Sequence, residues 1–206
     1  MKLWSVLVLV FFVFAAFATI IGINRSSGFE LGEIPAHSNE PGAPTEGSLY
    51  SQPYDFSNLV NGISIASGDQ YIGADDFTLT ADGHVDQVEL WMIYSGSHPV
   101  DLNVFVYTND VSDTGPRPGG TAWSATISAS QITDVDTGDD EWGYDIYHVT
   151  VDLGAGFAVP AGETHWFGVQ SVGSDAVYWL VADPLWAMNA CWSADNGATW
   201  GALGSD

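Results

Sequence analysis

The stretch "VDQVELWMIY" (85–94) is followed, after a break at "SGSHP", by "VDLNVFVYT" (100–108). Val88, Leu90, Met92 and Tyr94 fall on one side of an extended chain, and Leu102, Val104 and Val106 on one side of the next. A period of two marks half-buried strands, because successive side chains point to opposite faces of a sheet. The texture repeats outward from this pair. "DQYIGADDFTLT" (69–80), with the turn "ADGH" after it, precedes the pair, and "TAWSATI" (121–127) comes after. "YDIYHVTVDL" (144–153) sets Tyr147, Val149, Val151 and Leu153 against Ile146, His148 and Thr150. "THWFGVQSV" (164–172), "AVYWLVA" (176–182) and "MNACWS" (188–193) complete eight candidate strands, separated by Gly, Asp, Asn and Pro clusters. No stretch between them carries a 3.6-residue apolar stripe. The pattern predicts an all-β chain: a two-sheet antiparallel, jelly-roll-like sandwich.

The chain has 206 residues, room for one domain and appendages. Its first residues read as an export signal over 1–18: Lys2, an apolar run from Ser5 to Phe14, and the small-x-small site "AFA" ending at Ala18. An uncleaved anchor is the other reading, since the apolar run continues to Ile23, about 20 residues in all and enough to span a bilayer. With the signal removed no membrane segment is expected, and both readings place the rest of the chain outside the cytoplasm. Residues 19–48 read as an apolar segment, "TIIGI", followed by a flexible arm dense in Pro, Gly, Ser and Glu. The sandwich domain is expected over 49–206.

Charge excludes several classes of function. There are 26 Asp and Glu against 3 Lys and Arg, for a formal net charge of −23. Nothing here could neutralise phosphates, so nucleic acid is not an expected partner. Two explanations fit such a surface: divalent cations, chiefly Ca²⁺, or a salty habitat that screens self-repulsion. The lone Cys191 forms no disulfide within the chain.

Three acidic or turn motifs carry candidate chemistry. Asp75 and Asp76 are neighbours in a strand and so point to opposite faces; the inward one needs a metal or backbone N–H groups as partner. Asp134, Asp136, Asp139, Asp140 and Glu141 crowd around Gly138, and Asp-x-Asp-x-Gly resembles the start of a calcium loop. The alternative is a solvated acidic loop. All seven acids are candidate Ca²⁺ ligands. "SADNGATW" (193–200) fits the Asp-box pattern and reads as a tight turn: Asp195 binding backbone N–H groups, Gly197 at positive φ, Trp200 packing back on the sheet. The five histidines form no HxH or HxxxH pair, and no nucleophile–base motif is present, so no catalytic residues are identified and the chain is read as non-enzymatic. Trp142, Tyr178, Trp179 and Trp186 are candidates for stacking on a polysaccharide or a protein partner.

Four pieces in order, "ADDFTL" (74–79), "VFVYTNDVSDTGPRPGG" (104–120), "VPAGETHWFGVQ" (159–170) and "SADNGATW" (193–200), together resemble secreted β-sandwich domains of bacterial and archaeal surface proteins, the kind often followed by a sorting or choice-of-anchor tail. The resemblance covers about residues 50–204. It implies a jelly-roll-like sandwich with an extracellular role and no particular activity. Such domains usually follow the Thr-Trp turn with an apolar strand, whereas here "GALGSD" follows. The expectation is an incomplete sandwich that accepts a strand. Thr19, Ile20, Ile21, Gly22 and Ile23 are the candidate donor strand, given to a neighbouring copy. Head-to-tail donation builds filaments. The sequence therefore reads first as a secreted, non-enzymatic structural or adhesive subunit whose partner is itself. A carbohydrate-binding module comes second and a glycan-active hydrolase with paired carboxylates third.

Overall fold

The computed structural model describes residues 18–19, 22–25, 61–112, 115–173, 175–182 and 190–202. Its strands, in chain order, are β1 (Ala18–Thr19), β2 (Gly22–Arg25), β3 (Asn61–Ser64), β4 (Ile72–Thr78), β5 (Gly83–Tyr94), β6 (Leu102–Ser112), β7 (Gly115–Ile127), β8 (Ile132–Glu141), β9 (Tyr144–Val159), β10 (Thr164–Ser171), β11 (Val177–Ala182), β12 (Cys191–Ser193) and β13 (Gly201–Ala202). Helical turns are confined, among the described residues, to 3-10 segments at Ser67–Asp69 and Ala129–Gln131.

The strands form two antiparallel sheets packed face to face. One has the order β3-β11-β5-β9-β8 with β1 and β2 attached, and the other is β13-β12-β4-β10-β6-β7. Counting β3, β4, β5, β6, β7, β9, β10 and β11 from one to eight gives orders 1-8-3-6 and 2-7-4-5. That is the jelly roll, two interlocked Greek keys, so the expected architecture is present.

The core between the sheets is built by the predicted alternation. Val88, Leu90, Met92 and Tyr94 of β5 and Val149, Val151 and Leu153 of β9 face Leu102, Val104 and Val106 of β6 and Phe167 and Val169 of β10. Phe167 lies edge-on to Trp179, ring centroids 6.1 Å apart. A second, smaller cluster covers the outer face of the β4–β10–β6 sheet: Ala74, Tyr107, Trp166 and Cys191, with Phe105 and Trp200 packed against them. Burial, aided by Asp75 and Asp76, pushes the Cys191 thiol up to about 12, so it stays protonated and behaves as a small apolar group.

Three strands lie beyond the sequence reading, β3, β8 and β13; the last follows the Thr-Trp turn, where no strand is expected. β3 precedes the first predicted strand. β8 coincides with the acidic stretch read as a calcium or solvated loop. It is an edge strand with most of its side chains in water, so it carries no apolar alternation.

β9 makes one large excursion. Val85 pairs with Phe157 and Gln87 with Asp152, so Leu153 to Gly156 bulge out opposite Asp86. Gly154 and Gly156 both have positive φ, at 64° and 57°. A Cβ on Gly156 would lie 2.0 Å from the Val85 carbonyl oxygen, whereas one on Gly154 would meet nothing within 4 Å. Gly154→Ala should therefore cost about 1–2 kcal/mol, the penalty of the left-handed region alone. Gly156→Ala should cost clearly more than about 2 kcal/mol, because backbone must move as well. Urea unfolding of the two variants measures the difference; equal costs would contradict this register.

Candidate functional site

β5 is twelve residues long and carries β9 along one edge. Its other edge is shared. β11 pairs with it only at Met92–Tyr94, and β2 pairs with it at Val85–Glu89. The sides follow from double pairing. Val88 pairs with both Val151 and Ile23, so β2 lies opposite β9; Met92 pairs with both Tyr147 and Trp179, so β11 does too. On β11, Trp179 pairs with Ile63 of β3 and Met92 of β5, while Val181 pairs with Asn61 of β3 and Thr19 of β1. β1 therefore sits on the β5 side of β11. Beyond Trp179 the two strands part, and the N-terminal segment lies between them. β1 binds one wall and β2 the other, and they run in opposite directions because each is antiparallel to its own partner.

The gap is thus in the middle of a sheet, rather than beyond the Thr-Trp turn. That turn leads into β13, which closes the edge of the other sheet against β12. Of the expected donor residues, Thr19 pairs with Val181, Gly22 with Glu89 and Ile23 with Val88 of the same chain; Ile20 and Ile21 lie outside the described residues. Opposite Gly22, which has no side chain, stands the buried carboxylate of Glu89. Its Oε2 is 3.4 Å from Nε2 of His148, which stacks on Trp91 with centroids 4.7 Å apart.

The candidate metal ligands do not converge. Among the described residues no group of three His, Cys, Asp or Glu side chains could hold an ion. Asp75 is opposite Phe167 on the core side and Asp76 opposite Trp166 on the outer side, as alternation requires. Asp75 is 3% exposed, and its Oδ1 accepts the Asp76 N–H at 2.9 Å. Asp134 pairs with His98 Nδ1 at 2.5 Å, in a cluster where the rings of His98, Tyr94 and Tyr147 all pack on one another. Asp136 accepts the Gly138 N–H at 2.8 Å inside a bulge of β8. Asp139 and Asp140 are exposed and Glu141 half-buried on the same edge strand.

A different use of acids emerges. Asp75, Asp82, Asp101, Asp136, Asp152 and Asp195 each accept a backbone N–H, mostly at a turn. These carboxylates satisfy donors that the sheet ladders leave over.

The aromatic candidates separate. Trp179 is fully buried in the core and cannot stack on a ligand. Trp186 lies outside the described residues. Trp142 is 49% exposed at the tip of the β8–β9 hairpin, with φ of 56° followed by Gly143 at 81°. Its ring stands edge-on to Tyr178 at 6.1 Å, over the space left by Gly62.

The Asp-box turn forms as read. Ser193 Oγ donates to Asp195 Oδ1 at 2.8 Å and accepts the Gly197 N–H at 2.7 Å. Thr199 donates to Asp195 through its N–H at 2.8 Å and its hydroxyl at 2.7 Å. Gly197 has φ of 84°, and Trp200 lies edge-on to Tyr107 at 5.2 Å. A cleft of about 300 Å³ opens between this turn and the β6–β7 hairpin, lined by Asp110, Arg117 and Trp200 among others. The sequence reading missed it, because it joins residues some eighty positions apart and neither half is a site alone.

Comparisons with family models, with curated proteins and with solved structures return no match.

The donors around Asp195, led by the Thr199 N–H, hold its carboxyl below the ordinary value of 3.8. A depressed value stabilises the fold above the unfolded-state pKa, and that contribution is lost as pH falls through the folded one. Asp195→Asn keeps an acceptor but removes the charge. In urea unfolding, the stability gap between wild type and this variant should be widest near neutral pH and close as pH drops below 3.8. A gap independent of pH would show that the charge plays no part in the turn.

Proposed function

We propose that this chain is a secreted, non-enzymatic structural subunit whose copies join by exchanging the N-terminal strand. The observation that carries the reading is the gap between β11 and β5, filled by β1 and β2 instead of by a strand of the continuous sandwich. The occupant is joined to the domain only through a long connection. The 35 residues from 26 to 60 separate β2 from β3. A connection of that many residues sets an upper limit on reach of roughly 115–125 Å, enough to span to a neighbouring copy. Pairing within one chain and pairing between chains then use the same backbone contacts, and protein concentration selects between them. Donation from each copy to the next does not close, so it propagates as a filament. The calcium expectation has no counterpart in the arrangement of the described acids, and the proposal does not use it.

Removing residues 19–25 tests this directly. The mature chain should form particles larger than a monomer at high concentration, seen by light scattering and negative-stain microscopy. The truncated chain should be monomeric and less stable. A peptide spanning residues 19–25, the segment removed, should bind it when added in excess and restore stability. Assembly that persists in the truncated chain, or a mature chain that stays monomeric at all concentrations, would overturn the reading.

A further inference from the structure

We infer that Asn24 is a covalent glycan acceptor, a modification site on the N-terminal strand itself. The inference rests on the secreted reading above, since acceptors of this kind are modified in exported chains. Asn24-Arg25-Ser26 is an Asn-x-Ser motif with no proline at its centre. Of the eight asparagines in the chain, Asn24 alone is followed two positions on by Ser or Thr. A motif this short needs a place in the fold that suits it, and three features supply one.

The first is the face on which it stands. Ile23 pairs with Val88, which is fully buried in the core, and Asn24 pairs with Gln87. Directly paired residues of an antiparallel ladder share a face, and successive residues of a strand alternate. The register therefore places Asn24 on the face turned away from the core, beside a half-buried Gln87. A glycan at position 23 would keep the strand out of the gap. At position 24 it leaves the core side untouched, whether the strand pairs within its own chain or with a neighbour. The second feature is the ladder's end. Asn24 is the last regular pair; Arg25 pairs with Val85, so Asp86 is passed over in a bulge. The third is access. Ser26 lies beyond β2, at the start of the 35 residues that lead to β3. Undoing four residues of pairing frees the whole motif, and the ladders from β3 to β13 need not open.

The chemistry closes without a redox partner. The donor is a glycan activated at its anomeric carbon as a phosphate ester. Asn24 Nδ2 attacks that carbon, the C–N bond forms and the C–O bond to phosphate breaks. The phosphate leaves with the electron pair, and one amide proton passes to a base of the transferase.

Mass spectrometry of the full mature chain, recovered from its own organism, tests the site. The peptide containing Asn24 should be heavier than its sequence by at least one sugar residue. Ser26→Ala lies outside β2 and leaves Asn24 in place, and it should lose that whole increment; Asn24→Gln should lose it too. A chain recovered from outside the cytoplasm with Asn24 unmodified overturns this inference and leaves the secreted reading standing. An increment that survives Ser26→Ala also overturns it. A chain found only inside the cell, with Met1 still attached and Asn24 bare, overturns both.

Discussion

A backbone ladder opened in the middle of a sheet is the constraint on which this molecule turns. β5 is the central strand of its sheet, and β11 covers only Met92–Tyr94 of it before the two diverge. Each N–H and C=O left along that edge must find a partner or lose more in desolvation than an ordinary hydrogen bond contributes. An exposed outer edge can be wetted. This one has β11 standing beside it and buried side chains, Leu90 and Trp91, above and below. Water is a poor solution there and a strand is a good one, which is why the pairing of Gly22–Arg25 matters more than its four residues would indicate.

The same constraint explains what was legible in the sequence. The period-two runs of β5, β6 and β9 put their apolar residues on the core side, and the residues predicted to share a face do so. The Asp-box was equally legible, because its bonds are local and each residue type does one job. The gap was not. The sequence offered an apolar N-terminal segment and an apparently missing strand, but it pointed to the end of the chain. The gap lies between β5 and β11, whose pairing is confined to Met92–Tyr94, a long-range register that no local pattern records. Likewise β8 was hidden by its acids, since an edge strand facing water needs no alternation. Trp179 was misassigned to the surface because adjacent aromatics in a strand share no face, and the pattern alone did not say which one pointed inward.

Part of the acidity, the loudest feature of the composition, has a local role: six of the 26 acidic residues accept backbone N–H groups. An all-β chain turns often, and every turn leaves backbone N–H groups outside the ladders. Asp is suited to them because its short carboxylate accepts from an N–H two residues further on or across a turn. Asp136 on Gly138, Asp152 on Gly154 and Asp195 on Thr199 are instances.

Strand exchange as proposed would engage β5 and β11 of one sheet and leave the ladder β13-β12-β4-β10-β6-β7 of the other intact. The second sheet, with the Asp-box turn at its edge, therefore need not rearrange for the first to open. Each joint would reuse the backbone pairing that β2 makes with β5 within one chain, so its net gain over the intramolecular arrangement is small and set by protein concentration. A weak joint of this kind is reversible singly and persistent only when many are made in series.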